Sequence, residues 1–303
     1  MSEPIRVLIA DDMSKKAVEI LTGAGFSVDF KIGMKPEELA AVIGQYHGVG
    51  VRSASKIKAD TLANPGNLKI IGRAGVGVDN IDVKAATEKG ILVINTPQGN
   101  AAAAAELAIG LMFALARKIP QAADTMRNGI WEKKKFMGVE IAGKTLGVVG
   151  LGNIGRQAAE RGVGLKMNVI GFDPFPPKQL PAGVKVVTFD ELVAKSDFIT
   201  LHIPLVAETK NLFGAATFAK MKKGSYLINC ARGGVVDEAA LLSALESGRV
   251  AGAALDVFEV EPPKDLRLVG HPRVIATPHV GASTSEAQAR VGLEVAQILL
   301  AEL

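Results

Sequence analysis

Three charged side chains that follow predicted strands could carry proton transfer and anion binding. Arg232 comes directly after an apolar run, where a guanidinium can hold a carboxylate or polarise a carbonyl oxygen. His279 follows another short apolar run, and histidine is the side chain that exchanges protons near neutral pH. A carboxylate beside an imidazole fixes its tautomer, and Glu259 and Glu261 both lie between these two positions in the chain. The residues alone do not choose between the two glutamates.

Each of these side chains also has a plainer interpretation. Arg232 could form a surface ion pair, and the two glutamates could be solvated side chains ahead of a proline turn. Of the four histidines in the chain, three compete with His279 for a catalytic role: His47, His202 and His271. His202 also follows an apolar run, but Pro204 and the apolar neighbours favour a loop that lines a cofactor.

The stretch 145–174 has the residue spacing of a dinucleotide-binding unit. A short apolar run precedes Gly150, Gly152 and Gly155 in the order G-x-G-x-x-G, and a helical segment and a second apolar run follow. Such glycines allow a tight turn, close approach of backbone N–H groups to a pyrophosphate, and close packing of the helix on the sheet. Asp173 ends the second run, 173 − 155 = 18 residues after the last glycine, where a carboxylate accepts bonds from ribose hydroxyls and repels a 2′-phosphate. We therefore predict an NAD site, with a mere glycine-rich turn as the alternative.

Composition and length limit the classes of protein that fit. A chain of 303 residues suggests two domains with a sizeable core. The net charge of +4 is small and evenly spread, which argues against a nucleic-acid partner and is compatible with an anionic small substrate. The single cysteine, Cys230, excludes an internal disulfide and favours a reducing compartment. With no leader peptide or membrane span evident, we expect a cytoplasmic location, no membrane association and no metal.

Short apolar runs alternate with helical patterns along the chain, which predicts α/β architecture with parallel sheets. A flavodoxin-like βα pattern covers residues 5–100, and repeated βα steps follow from residue 144 onward. Two long helical patterns join them, an irregular segment covers residues 131–137, and a final helix is predicted to fold back on the first lobe. We expect two Rossmann/flavodoxin-like doubly wound parallel-sheet domains with the active site in the cleft between them: a discontinuous substrate-binding domain (1–97 plus 284–303) and an NAD-binding domain (98–283).

Seven motifs spread along the chain carry a family resemblance. They are VRSAS (51–55), GRAGVGVDNID (72–82), NTPQGNAAAAAEL (95–107), WEKKKFMGVEIAGKTLGVVGLGNIGR (131–156), NCARGGVVDEAAL (229–241), ALDVFEVEPP (254–263) and TPHVGAST (277–284). On these motifs the chain resembles the D-isomer-specific 2-hydroxyacid dehydrogenases over nearly its whole length. The first, second and fourth motifs are similar in particular to the branch of that family that oxidises 3-phosphoglycerate.

The resemblance implies a catalytic set of Arg232, Glu261 and His279, in which Glu261 is the family's residue directly before the proline pair. It implies oxidation of 3-phospho-D-glycerate to 3-phosphohydroxypyruvate, the first step of phosphorylated serine biosynthesis. His279 takes the proton of the C2 hydroxyl while hydride passes to the nicotinamide of NAD, and Glu261 supports the histidine. Arg232 grips the substrate carboxylate and the C2 oxygen.

The resemblance also assigns binding positions motif by motif. On the cofactor side stand Val76, Gly150, Gly152, Asn153, Ile154, Gly155, Asp173, Ile203, Cys230, Arg232, Asp256, His279, Gly281 and Ala282. On the substrate side stand Arg52, Ser53, Arg73, Gly75, Asn100, Lys133, Arg232 and His279. Arg52 and Arg73 suit an anion with two charged ends. The segment Lys133–Lys135 is expected to contribute a cation across the interface of a homodimer.

The chain departs from the family pattern in two respects. Ser55 stands where threonine is expected, and Val76, where threonine is common, removes a possible hydroxyl donor near the cofactor. The chain ends at Leu303, so C-terminal regulatory domains and feedback by serine are not expected.

One alternative function is that of a glyoxylate/hydroxypyruvate reductase or another D-2-hydroxyacid dehydrogenase. The other is an NAD-sensing binding protein of the corepressor type, which shares the fold and the site.

Overall fold

The computed structural model describes residues 4–303, which form two compact units. The first unit runs to Ala101 and resumes over Ala282–Leu303, and the second is Ala102–Gly281. The sequence prediction had placed the corresponding divisions after residue 97 and before residue 284. Both sets of divisions make the first unit discontinuous, with the last helix of the chain returning to it.

Residues 4–303 form twelve strands and eleven α-helices. They are β1 (Arg6–Ile9), α1 (Lys15–Gly23), β2 (Ser27–Phe30), α2 (Pro36–Val42), β3 (Gly48–Val51), β4 (Ile70–Arg73), α3 (Val83–Glu88), β5 (Leu92–Asn95), α4 (Ala101–Arg117), α5 (Ile119–Arg127), β6 (Thr145–Val149), α6 (Asn153–Gly164), β7 (Asn168–Phe172), β8 (Val184–Val186), α7 (Phe189–Lys195), β9 (Phe198–Leu201), α8 (Ala215–Lys220), β10 (Ser225–Asn229), α9 (Glu238–Glu246), β11 (Val250–Leu255), α10 (Leu266–Val269), β12 (Val274–Ala276) and α11 (Ser285–Glu302). Short 3-10 helices cover Ile43–Gln45 and Lys133–Phe136.

The first unit is a five-stranded parallel sheet in the order β2-β1-β3-β4-β5. This is the flavodoxin-like doubly wound order, as predicted from the alternation of apolar runs and helices. Its last helix, α11, buries Val291, Val295 and Leu299 in the same core as Val7 and Ile9 of β1. The predicted return of this helix to the first unit is therefore confirmed.

The second unit is a seven-stranded parallel sheet in the order β12-β11-β10-β9-β6-β7-β8. Strand order reverses between β6 and β9, and ligands of such sheets bind at the carboxyl ends of the strands beside that point. Successive residues face opposite sides of the sheet: Val149 and Leu227 belong to one core cluster, and Val148 and Ile228 to the other. Both faces are thus covered, which explains the continuous apolar runs in the sequence.

Several local features of the structure differ from the prediction. Helix α6 begins at Asn153, inside the glycine motif and not after its last glycine, because Gly152 in extended conformation takes the N-cap position. The segment Lys133–Phe136, expected to be irregular, forms a 3-10 helix. Helix α10 was not predicted, since its four residues are too short to show a periodicity, and its start is capped by the Asp265 carboxylate. No helix among residues 4–303 is long and apolar enough to cross a membrane.

Candidate active site

The glycine loop after β6 is built around two close backbone approaches. Gly150 has φ +91°, and a Cβ there would lie 2.4 Å from the carbonyl oxygen of His202. At Gly155, in the first turn of α6, a Cβ would lie 1.8 Å from the carbonyl oxygen of Gly150. Side chains at either position would push the loop off the sheet. The loop therefore places the N-terminus of α6 directly beyond the end of β6.

Asp173 closes this loop from the end of β7. Its Oδ2 accepts a hydrogen bond from the backbone N of Leu151 at 2.8 Å, and its Oδ1 accepts one from the N of Phe175 at 2.8 Å. The carboxylate is half-buried, and each of its oxygens retains capacity for a further donor. Asp173 therefore both ties the glycine loop to β7 and presents a negative charge at its edge.

The residues of the loop fit a bound dinucleotide. A Cβ at Gly152, the N-cap of α6, would meet nothing within 4 Å, so this side of the loop is open. The free backbone N–H groups and partial positive charge of a helix N-terminus suit a pyrophosphate. The Asp173 carboxylate at the next strand suits ribose hydroxyls.

His279 and Glu261 form a hydrogen-bonded pair after β12 and β11. The imidazole Nδ1 lies 2.7 Å from Oε2 of Glu261. The other carboxylate oxygen of Glu261, Oε1, accepts a hydrogen bond from the backbone N of Phe258 at 3.1 Å. The His279 side chain is 49% exposed, so its ring remains accessible. The carboxylate of the other glutamate, Glu259, instead accepts a hydrogen bond from the backbone N of Glu238 at 3.5 Å. The geometry thus pairs His279 with Glu261 and not with Glu259.

Asp256, which is fully buried, holds the loop that carries His279. Its Oδ1 accepts from the Thr277 hydroxyl at 2.6 Å and from the Val280 N at 2.8 Å, and its Oδ2 accepts from the Gly281 N at 2.8 Å. These donors flank His279, whose φ of +55° lies in the left-handed region that non-glycine residues rarely adopt. The carboxylate therefore fixes a strained backbone conformation at the histidine.

Arg232 lies in the loop after β10, the strand next to β11. Asn229, at the end of β10, donates to the Arg232 carbonyl at 3.0 Å, and the Arg232 Nη1 donates to the Ala231 carbonyl at 2.7 Å. At Gly233 a Cβ would lie 1.7 Å from the carbonyl oxygen of Phe258, whose N–H binds Glu261. Three adjacent strand ends thus carry the three predicted catalytic side chains.

The predicted substrate-side residues lie in the first unit. Arg52 and Ser53 follow β3 in a loop held by the side chains of Asp11 and Asn80. In that loop the hydroxyl of Ser55 donates to Asp11, a bond that a threonine there would also make, so this departure removes only a methyl group.

A second substrate-side group follows β4 and precedes α4. The Arg73 guanidinium lies against Gly75, where a Cβ would stand 1.8 Å from Nη1 and φ is +138°. The half-buried Val76 accepts a bond from Asn95 through its carbonyl. At Asn100 the side-chain oxygen is buried and has no hydrogen-bond partner. An unsatisfied buried acceptor of this kind is expected where a ligand supplies the missing donor.

The remaining predicted positions are placed as follows. Ile203 packs on the glycine loop: a Cβ added at Gly150 would lie 2.8 Å from its Cγ2. Burial and the Asp256 charge raise the pKa of the Cys230 thiol, so it stays protonated. Asn153 accepts a bond from Arg156 within α6, beside the half-buried Ile154, and Ala282 accepts one from Gln288 in α11. Lys133 is exposed at the start of its 3-10 helix.

Sequence reasoning missed three side chains that support the site. Asp11 and Asn80 hold the Arg52 loop, and Glu238 binds the segment that carries Glu261. Asn80 and Glu238 lie inside two of the seven motifs but were given no role there, and Asp11 is 44 positions from Ser55, so no local pattern links it to the loop. Among the described residues, no three His, Cys, Asp or Glu side chains are grouped as a metal site.

Comparisons with known proteins give one consistent answer about family. Residues 109–281 match the family described as "D-isomer specific 2-hydroxyacid dehydrogenase, NAD binding domain". The chain is 50% identical to D-3-phosphoglycerate dehydrogenase of Archaeoglobus fulgidus and 51% identical to that of Homo sapiens, over 97% and 96% of its length. These matches cover 56% and 55% of the relatives, so the chain spans about half the length of the curated relatives it matches. A glyoxylate reductase structure from Paecilomyes thermophila is 35% identical, with a TM-score of 0.90 over 99% of this chain and 95% of that one.

Proposed function

The chain belongs to the D-isomer specific 2-hydroxyacid dehydrogenase family, and on that premise we propose that it oxidises 3-phospho-D-glycerate to 3-phosphohydroxypyruvate. NAD, when bound at the glycine loop, supplies the acceptor for the hydride that leaves C2. The observation that carries the proposal is the Glu261–His279 pair at the carboxyl edge of the sheet that holds this loop. The relatives named D-3-phosphoglycerate dehydrogenase support the choice of substrate.

His279 is the general base of the proposed reaction. Its Nδ1 is engaged by Glu261, so the neutral ring carries the proton on Nδ1 and leaves Nε2 to accept the proton of the C2 hydroxyl. Glu261 then faces an imidazolium and stabilises its charge. In the reverse direction the same Nε2 returns the proton to the C2 oxygen.

Arginine side chains hold the anionic substrate in this proposal. Arg232, on the strand end next to that of Glu261, binds the carboxylate and the C2 oxygen, because a guanidinium can bind both with parallel N–H groups. Arg52 and Arg73 of the first unit bind the far, phosphorylated end, and Lys133 adds a further cation. The side-chain NH2 of Asn100 supplies a further hydrogen-bond donor to the same anion.

A second candidate reaction is the reduction of glyoxylate or hydroxypyruvate. The 35% identity to a glyoxylate reductase over nearly the whole of both chains favours it. The same histidine, glutamate and arginine serve both reactions. The two candidate reactions differ in whether Arg52 and Arg73 bind a phosphate group of the substrate.

The deciding experiment follows NADH absorbance with NAD and 3-phosphoglycerate at alkaline pH, with the oxo-acid product trapped. D-Glycerate and D-lactate serve as unphosphorylated controls. The proposal predicts NADH formation with the phosphorylated acid and little with the controls. Activity on the controls alone supports the broader dehydrogenases, and NAD binding with no activity on any acid supports a nucleotide-sensing binding protein.

Homodimer formation through α4 and α5 belongs to the same proposal. A groove of about 500 Å³ there is lined by Phe113, Arg117, Ile119, Ala122, Ala123 and Met126. Ile119 and Met126 are 52% and 54% exposed, which is costly for an isolated chain and favours cover by a second copy. Sedimentation velocity of the purified chain tests this point. A cytoplasmic location remains a prediction that rests on the single cysteine.

A further inference from the structure

Two polar side chains, the buried Asp11 and the half-buried Asn80, hold the loop Arg52–Ser55 through its backbone. Asp11, 4% exposed, accepts from the Arg52 N at 2.6 Å, the Ser55 N at 3.0 Å and the Ser55 hydroxyl at 2.6 Å. The Nδ2 of Asn80 donates to the carbonyls of both Arg52 and Ser55 at 2.7 Å. The first and last residues of the loop are thus tied at both N–H and C=O.

We propose that Asp11 and Asn80 are positioning residues that hold this loop as a preformed site for the phosphate of the substrate. The inference rests on the proposed function, because it takes the loop to bind the phosphorylated end of the acid. Neither side chain touches the substrate in this account. Both act through Arg52 and the backbone of the loop.

The hydrogen bonds leave the binding groups of the loop accessible. Arg52 donates from Nη1 to the Asp12 carbonyl at 3.0 Å, a bond that uses one of the five N–H donors of the guanidinium. Ser53 and Ala54 are exposed, and within residues 4–303 their amide N–H groups donate to no protein acceptor. A guanidinium and two neighbouring N–H groups form a donor set that suits a phosphate.

A carboxylate beside an anion site needs an explanation, because like charges repel. Both oxygens of Asp11 are engaged by donors of the loop itself, so its charge is compensated locally. Charge-assisted bonds to N–H groups are about twice as strong as neutral ones. The carboxylate therefore gives the loop a rigidity that a neutral side chain would not, and rigidity lowers the entropy lost on binding.

Two isosteric substitutions separate positioning from simple folding. Asp11→Asn places an NH2 group against a backbone N–H of the loop, and Asn80→Asp places an oxygen against two carbonyl oxygens. Ser55→Ala is a milder variant that removes the hydroxyl contacts to Asp11 and to the Ala10 carbonyl but keeps both backbone N–H bonds to Asp11. Asp60→Asn, at an exposed position of the same unit, is the matched control for loss of one carboxylate.

The test measures binding and turnover in the full chain. Isothermal titration calorimetry with 3-phosphoglycerate gives Kd, and steady-state kinetics give KM and kcat. Hydrogen exchange measures how strongly the backbone amides of Arg52 and Ser55 are protected. The proposal predicts that Kd and KM rise about tenfold in Asp11→Asn and Asn80→Asp. It predicts that kcat and the affinity for NAD stay within about threefold, while amide protection is lost. Asp60→Asn is expected to match the wild type.

Several results overturn the proposal. Retained amide protection in both variants shows that the side chains do not fix the loop. Lost protection with unchanged Kd, or a fall in kcat without a rise in KM, shows that fixing the loop is not needed for the phosphate. Absence of 3-phosphoglycerate binding by the wild type overturns this inference and the proposed function together. Binding by the wild type without NADH formation overturns the proposed function alone.

Discussion

Oε2 of Glu261 lies 2.7 Å from Nδ1 of His279, although the two residues are 18 positions apart in the chain. The pair forms because β11 and β12 are neighbours, so the loops that follow them meet at one edge of the sheet. The second oxygen of Glu261 binds the backbone at Phe258, which leaves the carboxylate little freedom to turn. The imidazole is therefore held with Nε2 as its available nitrogen.

Loss of the Glu261 charge should slow turnover without weakening substrate binding. In Glu261→Gln the side chain keeps its size, but the imidazolium formed at His279 has no carboxylate partner. We expect kcat to fall by about 10²-fold with KM within about threefold. Steady-state kinetics check this, and Glu259→Gln is the matched control, since Glu259 does not contact the imidazole. Equal losses in both variants would contradict the assigned pairing.

The buried carboxylate of Asp256 should support turnover because it fixes the conformation of the loop that carries His279. In Asp256→Asn one acceptor oxygen becomes an NH2 group that faces a backbone N–H of Val280 or Gly281, so the loop is released. We expect kcat/KM to fall by about tenfold or more, with the circular dichroism spectrum unchanged. Asp190→Asn, which removes a surface carboxylate paired with Lys220, should leave the rate as in the wild type. A rate in Asp256→Asn equal to that control would show that the loop needs no such anchor.

The Asp173 carboxylate should set the preference for NAD over NADP. Asp173→Asn keeps one acceptor for the glycine loop but removes the negative charge that repels a 2′-phosphate. We expect the ratio of kcat/KM for NAD to that for NADP to fall by about tenfold. Measuring both cofactors with one enzyme preparation cancels errors in active concentration. An unchanged ratio would show that Asp173 does not recognise the ribose of the cofactor.

Acid should destabilise the second unit through His202. Burial lowers the pKa of this half-buried imidazole from 6.5 to about 4, and its Nε2 lies 3.0 Å from the Thr200 hydroxyl. Between pH 6.5 and 4 the unfolded chain binds a proton that the folded chain does not, so stability falls as the pH falls. Over this range we expect the wild type to lose about 3 kcal/mol more than His202→Gln. Denaturant unfolding of both proteins at pH 7 and pH 4 checks this, and equal losses would contradict it.

The sequence predicted the sheets well because each buried parallel strand is an uninterrupted apolar run. Both predicted parallel sheets are present, whereas α10 was missed because four residues give no helical period. The predicted site residues were found through motifs, each of which is local. Asp11 contacts Ser55 across 44 positions, and a contact of that range leaves no trace in either local pattern. The choice between Glu259 and Glu261 likewise needed either a family pattern or the geometry, since both precede the same turn.

Turnover by His279→Ala tests the proton-transfer account most directly. NADH formation from NAD and 3-phosphoglycerate is measured for the wild type and the variant, with NADH binding followed by its fluorescence in both. The account predicts that kcat falls by about 10³-fold or more, because no other group accepts the C2 hydroxyl proton, while the Kd for NADH changes by less than about threefold. Turnover near that of the wild type, with cofactor binding intact, would contradict the assignment of His279 as the general base.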